Sequence, residues 1–210
     1  MTSIAFLGPR GSFSEAALRA LDESEGADFI ASGSVAEALA TLREGLVDRA
    51  LVPIENSIEG SVATTLDGLS AGEPLVIVAE QVISVSFTLM ARPGVSLDEI
   101  RTIGTHPHAS AQCSGWVRSN LPSAGVVPMS STSAAAAALA SGEPGFEAAI
   151  APRIAADIYQ LDVLADDIGD NDEAWTRFIL LARTGQLPAP TGADKTTLSL
   201  FMRADHPGAL

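Results

Sequence analysis

The sequence is short of cysteine, short of positive charge and without a long apolar run. A single cysteine, Cys113, excludes an internal disulfide and fits a reducing compartment. Lysine and arginine total 12 against 26 aspartates and glutamates, a formal net charge of −14. That balance argues against a surface built for nucleic acid or for an anionic membrane. No stretch approaches the roughly 20 apolar residues that cross a bilayer; "PLVIVA" is the length of a strand. The N-terminus, "MTSIAFLGPRG", lacks the basic region and long apolar core of a secretory signal. No Cys/His set has the spacing of a zinc site, so no metal is expected. These absences lead to the expectation of a soluble cytoplasmic protein with no nucleic-acid or membrane partner.

What is present is ample core material. The chain has 210 residues, 47% of them apolar, enough for one large or two small domains. Short apolar runs alternate with helical patterns, which predicts an α/β architecture. "SIAFLG", "ADFIAS" and "RALVPIENS" read as strands. Ser12 with Glu15, and Ser34 with Glu37, have the spacing of capping boxes. Val35, Leu39, Leu42 and Leu46 form a helical stripe, and a short helix is expected near Thr64 to Leu69. "PLVIVAEQVISVSFTLMARPG" is too long for one ordinary strand, and its second half alternates cleanly.

The pattern then begins again. "SLDEI" reads as a capped turn and "RTIGTHP" as a strand. "HASAQCSGWVRSNL" reads as one helix, and "GVVPMSS" leads to the alanine-rich helix "TSAAAAALASG". "FEAAIAP" leads to "RIAADIYQL", and "WTRFILLART" is a last strand before the linker "GQLPAPTGADK". This predicts two α/β subdomains with a cleft between them, joined by two crossover strands, one after Glu80 and one at Trp175. Lobe 1 covers about 1–82 plus 176–185, lobe 2 about 83–175, and the linker 186–195. Thr176 and Arg177 then fall at the hinge of a cleft, where ligands commonly bind.

The segment "NDEAWTRFIL" poses a chemical question, because a hydroxyl and a guanidinium stand at the entrance of an apolar strand. A buried arginine must be paired. Either Arg177 meets a nearby carboxylate, Asp170, Asp172 or Glu173, or it waits for an anionic ligand. Four strand-to-helix transitions, "GPRGSFSEAA", "PIENSIEGSV", "THPHASAQC" and "SSTSAAAA", each place small polar residues where a helix begins. Helix N-termini offer unpaired N–H groups and a positive dipole end. Any one of these is ordinary capping. Four around one cleft would let an acidic protein bind a small anion.

"FLGPRGSFSEAA", "VPIENSIEGSV", "THPHASAQC" and "TRF", in this order from Ile4 to about Arg183, resemble the prephenate dehydratase family. One departure is Thr105, where the family more often has serine. The resemblance implies two α/β subdomains of the type II periplasmic-binding-protein kind. It implies loss of water and CO2 from prephenate to give phenylpyruvate, in phenylalanine biosynthesis, without a cofactor. Thr176 is implied as donor to the leaving hydroxyl and Arg177 as a carboxylate anchor or loop-ordering residue. Asn56, Ser57, Gln112 and Thr105 are implied to line the pocket and hold substrate. Glu55 either positions Asn56 or faces solvent. His106 and His108 read as caps or core contacts rather than acids, and Cys113 as a buried small apolar residue.

The resemblance also implies a homo-oligomer, dimer or tetramer. The tail, 196–210, resembles the opening of an ACT regulatory domain, whose effector in this family is phenylalanine. Fifteen residues do not make that domain, so the expectation is turnover without allosteric response. Two other functions fit the same residues. One is arogenate dehydration. The other is non-catalytic binding of a small molecule between two lobes.

Overall fold

The computed structural model describes residues 1–142, 145–185, 189–190, 192 and 194–197. Eleven strands among these residues form two sheets. The first contains β1 (Ser3–Leu7), β2 (Asp28–Ser32), β3 (Arg49–Asn56), β4 (Gly60–Ser61), β5 (Leu75–Ser84) and, from the far end of the chain, β11 (Trp175–Arg183). Its order is β2-β1-β3-β11-β5, with β4 paired to β3. The second sheet contains β6 (Thr88–Ala91), β7 (Thr102–Thr105), β8 (Gly125–Pro128), β9 (Ala148–Ala151) and β10 (Asp162–Ala165), in the order β10-β6-β9-β7-β8. The protein is therefore α/β with two sheets, each carrying its own helices.

In the first sheet β1 runs parallel to β2 and β3, while β11 is antiparallel to both β3 and β5. α1 (Phe13–Arg19) covers one face, where Ala17 and Leu18 pack on Ile4, Phe6, Leu51, Phe178 and Leu180. α2 (Val35–Arg43) and α3 (Ala63–Ser70) lie on the other, where Val35, Leu39 and Leu42 pack on Val52, Ile179 and Leu181. Successive residues of β11 thus alternate between two cores, as the period of a strand requires. β3 carries Pro53 in an interior strand. The register to β11 slips there, so that Arg177 faces Glu55 and Phe178 faces Pro53. Such a bulge accommodates a residue with no N–H to give.

In the second sheet α4 (Pro107–Gln112), α5 (Ser114–Asn120), α6 (Thr132–Ser141) and α7 (Arg153–Tyr159) surround short, fully buried strands such as β6 and β9. Two of the contacts between this lobe and the first lie at or just before the start of α1. Tyr159 donates its hydroxyl to the Arg10 carbonyl at 2.9 Å, and Phe13 meets Phe87 edge to face at 5.6 Å. Gly11 sits where a Cβ would lie 3.1 Å from Ala155 and Tyr159, and its φ of +77° suits glycine alone.

Several expectations change. The long run after Pro74 is two strands in different sheets, with Val85–Phe87 passing between them, so the first crossover is not one continuous strand. Leu46 lies beyond α2 and is 67% exposed, because Gly45, at φ +76°, turns the chain away. The helix expected over 108–121 breaks at Cys113. The new N-terminus is capped by Asp170, which accepts from the Gly115 and Trp116 amides at 2.8 and 3.2 Å. These bonds hold the Asp170 carboxyl below its ordinary pKa. Ser12 and Ser34 do cap their helices, but Glu15 and Glu37 reach back to Gly11 and Gly33 instead of closing the box on the cap residue. β10 was not expected. The tail 198–210 lies outside the described residues.

Candidate active site

A cavity of about 230 Å³ opens between the lobes. Leu7, Gly8, Pro9, Ser12, Phe13, Ser14 and Pro53 line it from the first lobe, and Ser131, Thr132 and Ser133 from the second. Its remaining lining, Thr176 and Phe178, comes from the return strand β11. Two helices begin at it. Ser12 caps α1 by accepting from the Glu15 amide, and Ser131 caps α6 by accepting from the Ala134 amide at 3.0 Å. The amides before those capped ones have no partner within the helix and are the groups that hold anions at a helix start. The lining is otherwise apolar or hydroxylic, with no charged side chain among the described residues.

Thr176 is 8% exposed, and its hydroxyl has a defined role. Asn56 lies directly opposite it in the β3–β11 register, and the Asn56 side-chain amide donates to Thr176 Oγ1 at 2.8 Å. The amide cannot turn round without loss. Its oxygen accepts from the Ile58 and Glu59 backbone amides at 2.8 and 3.0 Å. With Asn56 fixed as donor, Thr176 Oγ1 accepts there and its own proton is free to point into the cavity.

Ser57 acts one step back. Its Oγ accepts from the Trp175 amide at 2.9 Å, and its amide donates to the Trp175 carbonyl at 3.0 Å. This pair of bonds pins the peptide preceding Thr176. Ser57 itself is exposed and lies outside the cavity lining.

Arg177 requires a correction. It falls between Thr176 and Phe178, so it projects from the opposite face of the sheet. Its guanidinium donates to Glu80 at 2.9 and 2.5 Å and stands 3.8 Å from Glu55. Lys195 reaches the other oxygen of Glu80. Lys195 and Arg177 together hold the Glu80 carboxyl below its usual pKa, against the opposing effect of partial burial. Glu55 makes no side-chain hydrogen bond to Asn56 among the described residues; its side chain is 46% exposed, beside Arg177. The anionic partners of Arg177 are protein carboxylates, different from the three nearby in sequence.

Thr105 is also corrected. It is fully buried and donates to the Ile150 carbonyl at 2.8 Å, holding β7 to β9, and it does not line the cavity. Gln112 ends α4 half-buried, with its backbone carbonyl accepting from the Asp170 amide at 2.6 Å; it too is outside the lining. His106 caps α4 through Nδ1, accepting from the His108 amide at 3.3 Å. Cys113 is wholly buried, and burial followed by the Asp170 charge pushes its thiol up to about 12.

The cavity residues missing from the individually expected set are Ser12, Ser14 and Ser131–Ser133. Their signal was present, since both segments belong to the four small-residue helix starts. Nothing in the sequence distinguished the two that face the cleft.

Comparison with known proteins identifies the family. The family model for prephenate dehydratase matches residues 4–186. A prephenate dehydratase of Mycolicibacterium vanbaalenii is 45% identical over 224 aligned residues, covering all of this chain and 70% of that protein. The crystal structure of a prephenate dehydratase from Arthrobacter aurescens, in complex with L-Phe, superposes with a TM-score of 0.91 at 48% identity. That match covers 99% of this chain and 68% of the other. GqqA, described as a quorum quenching acylase, is more distant, at 29% identity and a TM-score of 0.78 over 90% of this chain and 66% of its own. With its ordered motifs, its two-sheet fold and its whole length matched in this way, the chain belongs to the prephenate dehydratase family.

Proposed function

We propose that prephenate is dehydrated and decarboxylated in the cavity between the lobes, with Thr176 as the hydrogen-bond donor to the departing hydroxyl. The orientation of Asn56, which leaves the Thr176 proton free toward the cavity, carries this reading. Prephenate has two carboxylates and a secondary, doubly allylic hydroxyl. As the ring carboxylate leaves as CO2, its bonding electrons move through the ring and expel the hydroxyl oxygen as hydroxide. Solvent then supplies the proton that makes it water. Aromatisation drives the step, so the protein's task is to hold the carboxylates and to meet charge developing on the leaving oxygen.

The residues suit that task. The start of α6, with Thr132 and Ser133, offers N–H and O–H donors to one carboxylate. Leu7, Phe13, Pro53 and Phe178 offer an apolar wall to the ring. A carboxylate held there without a cation is poorly solvated, which favours its loss. Thr176 paired with an amide donor suits a hydrogen-bonding role. A nucleophile for acyl transfer would instead need a base at that position, which favours dehydration over an acylase chemistry.

Thr176→Val keeps the shape and removes the hydroxyl. It should lower kcat for phenylpyruvate formation by about 10²–10³ with KM little changed, the range for losing one such donor. Thr176→Ser should keep most of the rate. An unchanged kcat in the valine variant would end the assignment. Phenylalanine as an effector where the ACT domain is complete, a homo-oligomeric state and a cytoplasmic location belong to the same proposal. The first is supported by the L-Phe complex of the Arthrobacter relative. Phenylalanine titration of activity and sedimentation analysis check the first two.

A further inference from the structure

The turn that follows Asn56 also touches the second lobe. Glu59, between β3 and β4, meets His108 of α4 with Oε1 and Nδ1 2.6 Å apart. His106 stacks edge to face on the His108 ring at 5.0 Å, and its own Nδ1 is occupied by the His108 amide. Glu59 and His106 are thus the titratable groups that contact the His108 ring. On the first-lobe side, the Glu59 amide is one of the two donors that fix the Asn56 oxygen. One residue therefore grips the opposite lobe with its side chain while its backbone holds the amide that sets the Thr176 hydroxyl.

We infer that Glu59 and His108 are a positioning pair for the reaction, transmitting contact between the lobes through Asn56 to the orientation of Thr176. Neither residue lines the cavity. Their effect falls on the leaving-group donor, which acts as the C–O bond breaks, so it belongs to kcat more than to KM. The pair is solvent-exposed, with side chains 67% and 59% accessible. Its contribution is accordingly modest, on the order of a 1.5- to 5-fold change in rate. The sequence gives no hint of it, because residues 49 positions apart meet only when the lobes do.

This inference rests on Thr176 being the donor, and the test separates the two. Phenylpyruvate formation is measured for Glu59→Gln, His108→Ala and the double variant, each made with and without Thr176→Val. With Thr176 present, each single change should lower kcat about 1.5- to 5-fold with KM nearly unchanged. The double variant should be no slower than the slower single, and Glu59→Lys/His108→Glu should recover rate relative to either reversal alone. In the Thr176→Val background the same changes should cost nothing further. Hydrogen exchange at the Ile58 and Glu59 amides, followed without substrate, should quicken in His108→Ala. Additive losses, losses that persist without the Thr176 hydroxyl, or unaltered exchange overturn the inference alone. A Thr176→Val enzyme of normal kcat overturns the reading beneath it.

Discussion

Replacing Asn56 by aspartate tests the site at its most informative bond. The change is nearly isosteric and keeps an oxygen where Oδ1 accepts from the Ile58 and Glu59 amides. It turns the 2.8 Å donor to Thr176 Oγ1 into an acceptor. The Thr176 proton then points at the new carboxylate, away from the cavity. A hydrogen bond to a charged group is worth about 1.5–3 kcal/mol, and redirecting the proton in each turnover would slow kcat by roughly 10- to 150-fold. Complete loss of the donor, at about 10²–10³, sets the upper bound. Asn56→Ala leaves the hydroxyl free to rotate and should be the milder change in rate. It removes the acceptor of two backbone amides, however, and should be the more harmful to stability. The two variants should therefore rank in opposite order for kcat and for thermal midpoint. Acidification should partly restore the aspartate variant, because a protonated carboxyl regains a donor. Steady-state kinetics from pH 7 downward, with melting curves on the same samples, provide the assay. An aspartate variant at least as fast as the alanine variant at neutral pH would refute the argument.

Three further outcomes follow from the geometry. Arg177→Met should leave kcat within about two-fold and cost about 1 kcal/mol of stability or less, since the guanidinium serves a partly exposed ion pair and Glu80 keeps Lys195; a collapse of substrate binding would return Arg177 to the site. Asp48, Asp166 and Asp170 are held below the ordinary carboxylate pKa, chiefly by bonds from the Ser3 amide, the Thr88 hydroxyl and the Gly115 amide respectively. Their folded values are depressed, so the stabilisation is complete above the unfolded pKa, about 3.9, and is lost as pH falls through the folded values. The thermal midpoint should stay level from about pH 7 to 5 and drop below about pH 4, and Asp170→Asn should flatten that acid limb. Cys113, buried and with its thiol pushed up to about 12, should resist iodoacetamide at pH 8 in the folded protein and react on unfolding.

Sequence reading did best where the signal is local. The strands at Ser3, Asp28, Arg49 and Trp175, and the capped starts at Ser12, Ser34 and Ser131, rest on alternation and on one side chain three residues from an amide. It did worst where register decides. Asn56 and Thr176 are 120 residues apart, and only the pairing of β3 with β11 makes one orient the other. Arg177 has carboxylates nearby at Asp170, Asp172 and Glu173, yet its partners come from neighbouring strands on the same face, Glu80 and Glu55. Thr105 resembles a pocket hydroxyl in its motif, but the carbonyl it bonds, Ile150, belongs to a strand 45 residues on. Leu46 fits a helical stripe that a left-handed glycine has already ended. The failures share a cause, since a motif names a residue without saying which face of the sheet it will occupy.

The place of β11 between β3 and β5 has a consequence for how the chain is made. Synthesis delivers β1 to β5 first, and at that stage β3 and β5, separated in sequence by β4 and α3, lack the strand that pairs with both. The second sheet, Thr88 to Ala165, is one unbroken stretch and can close on itself as soon as it emerges. Only afterwards does Trp175–Arg183 arrive to pair with both waiting strands. The lobe made first is thus the lobe finished last. Its two open strand edges, the kind that invite pairing with other chains, stay exposed until the segment bearing Thr176 closes them. The strand that carries the leaving-group donor is also the one that completes the fold, so a chain halted before it would have neither a whole first sheet nor a site.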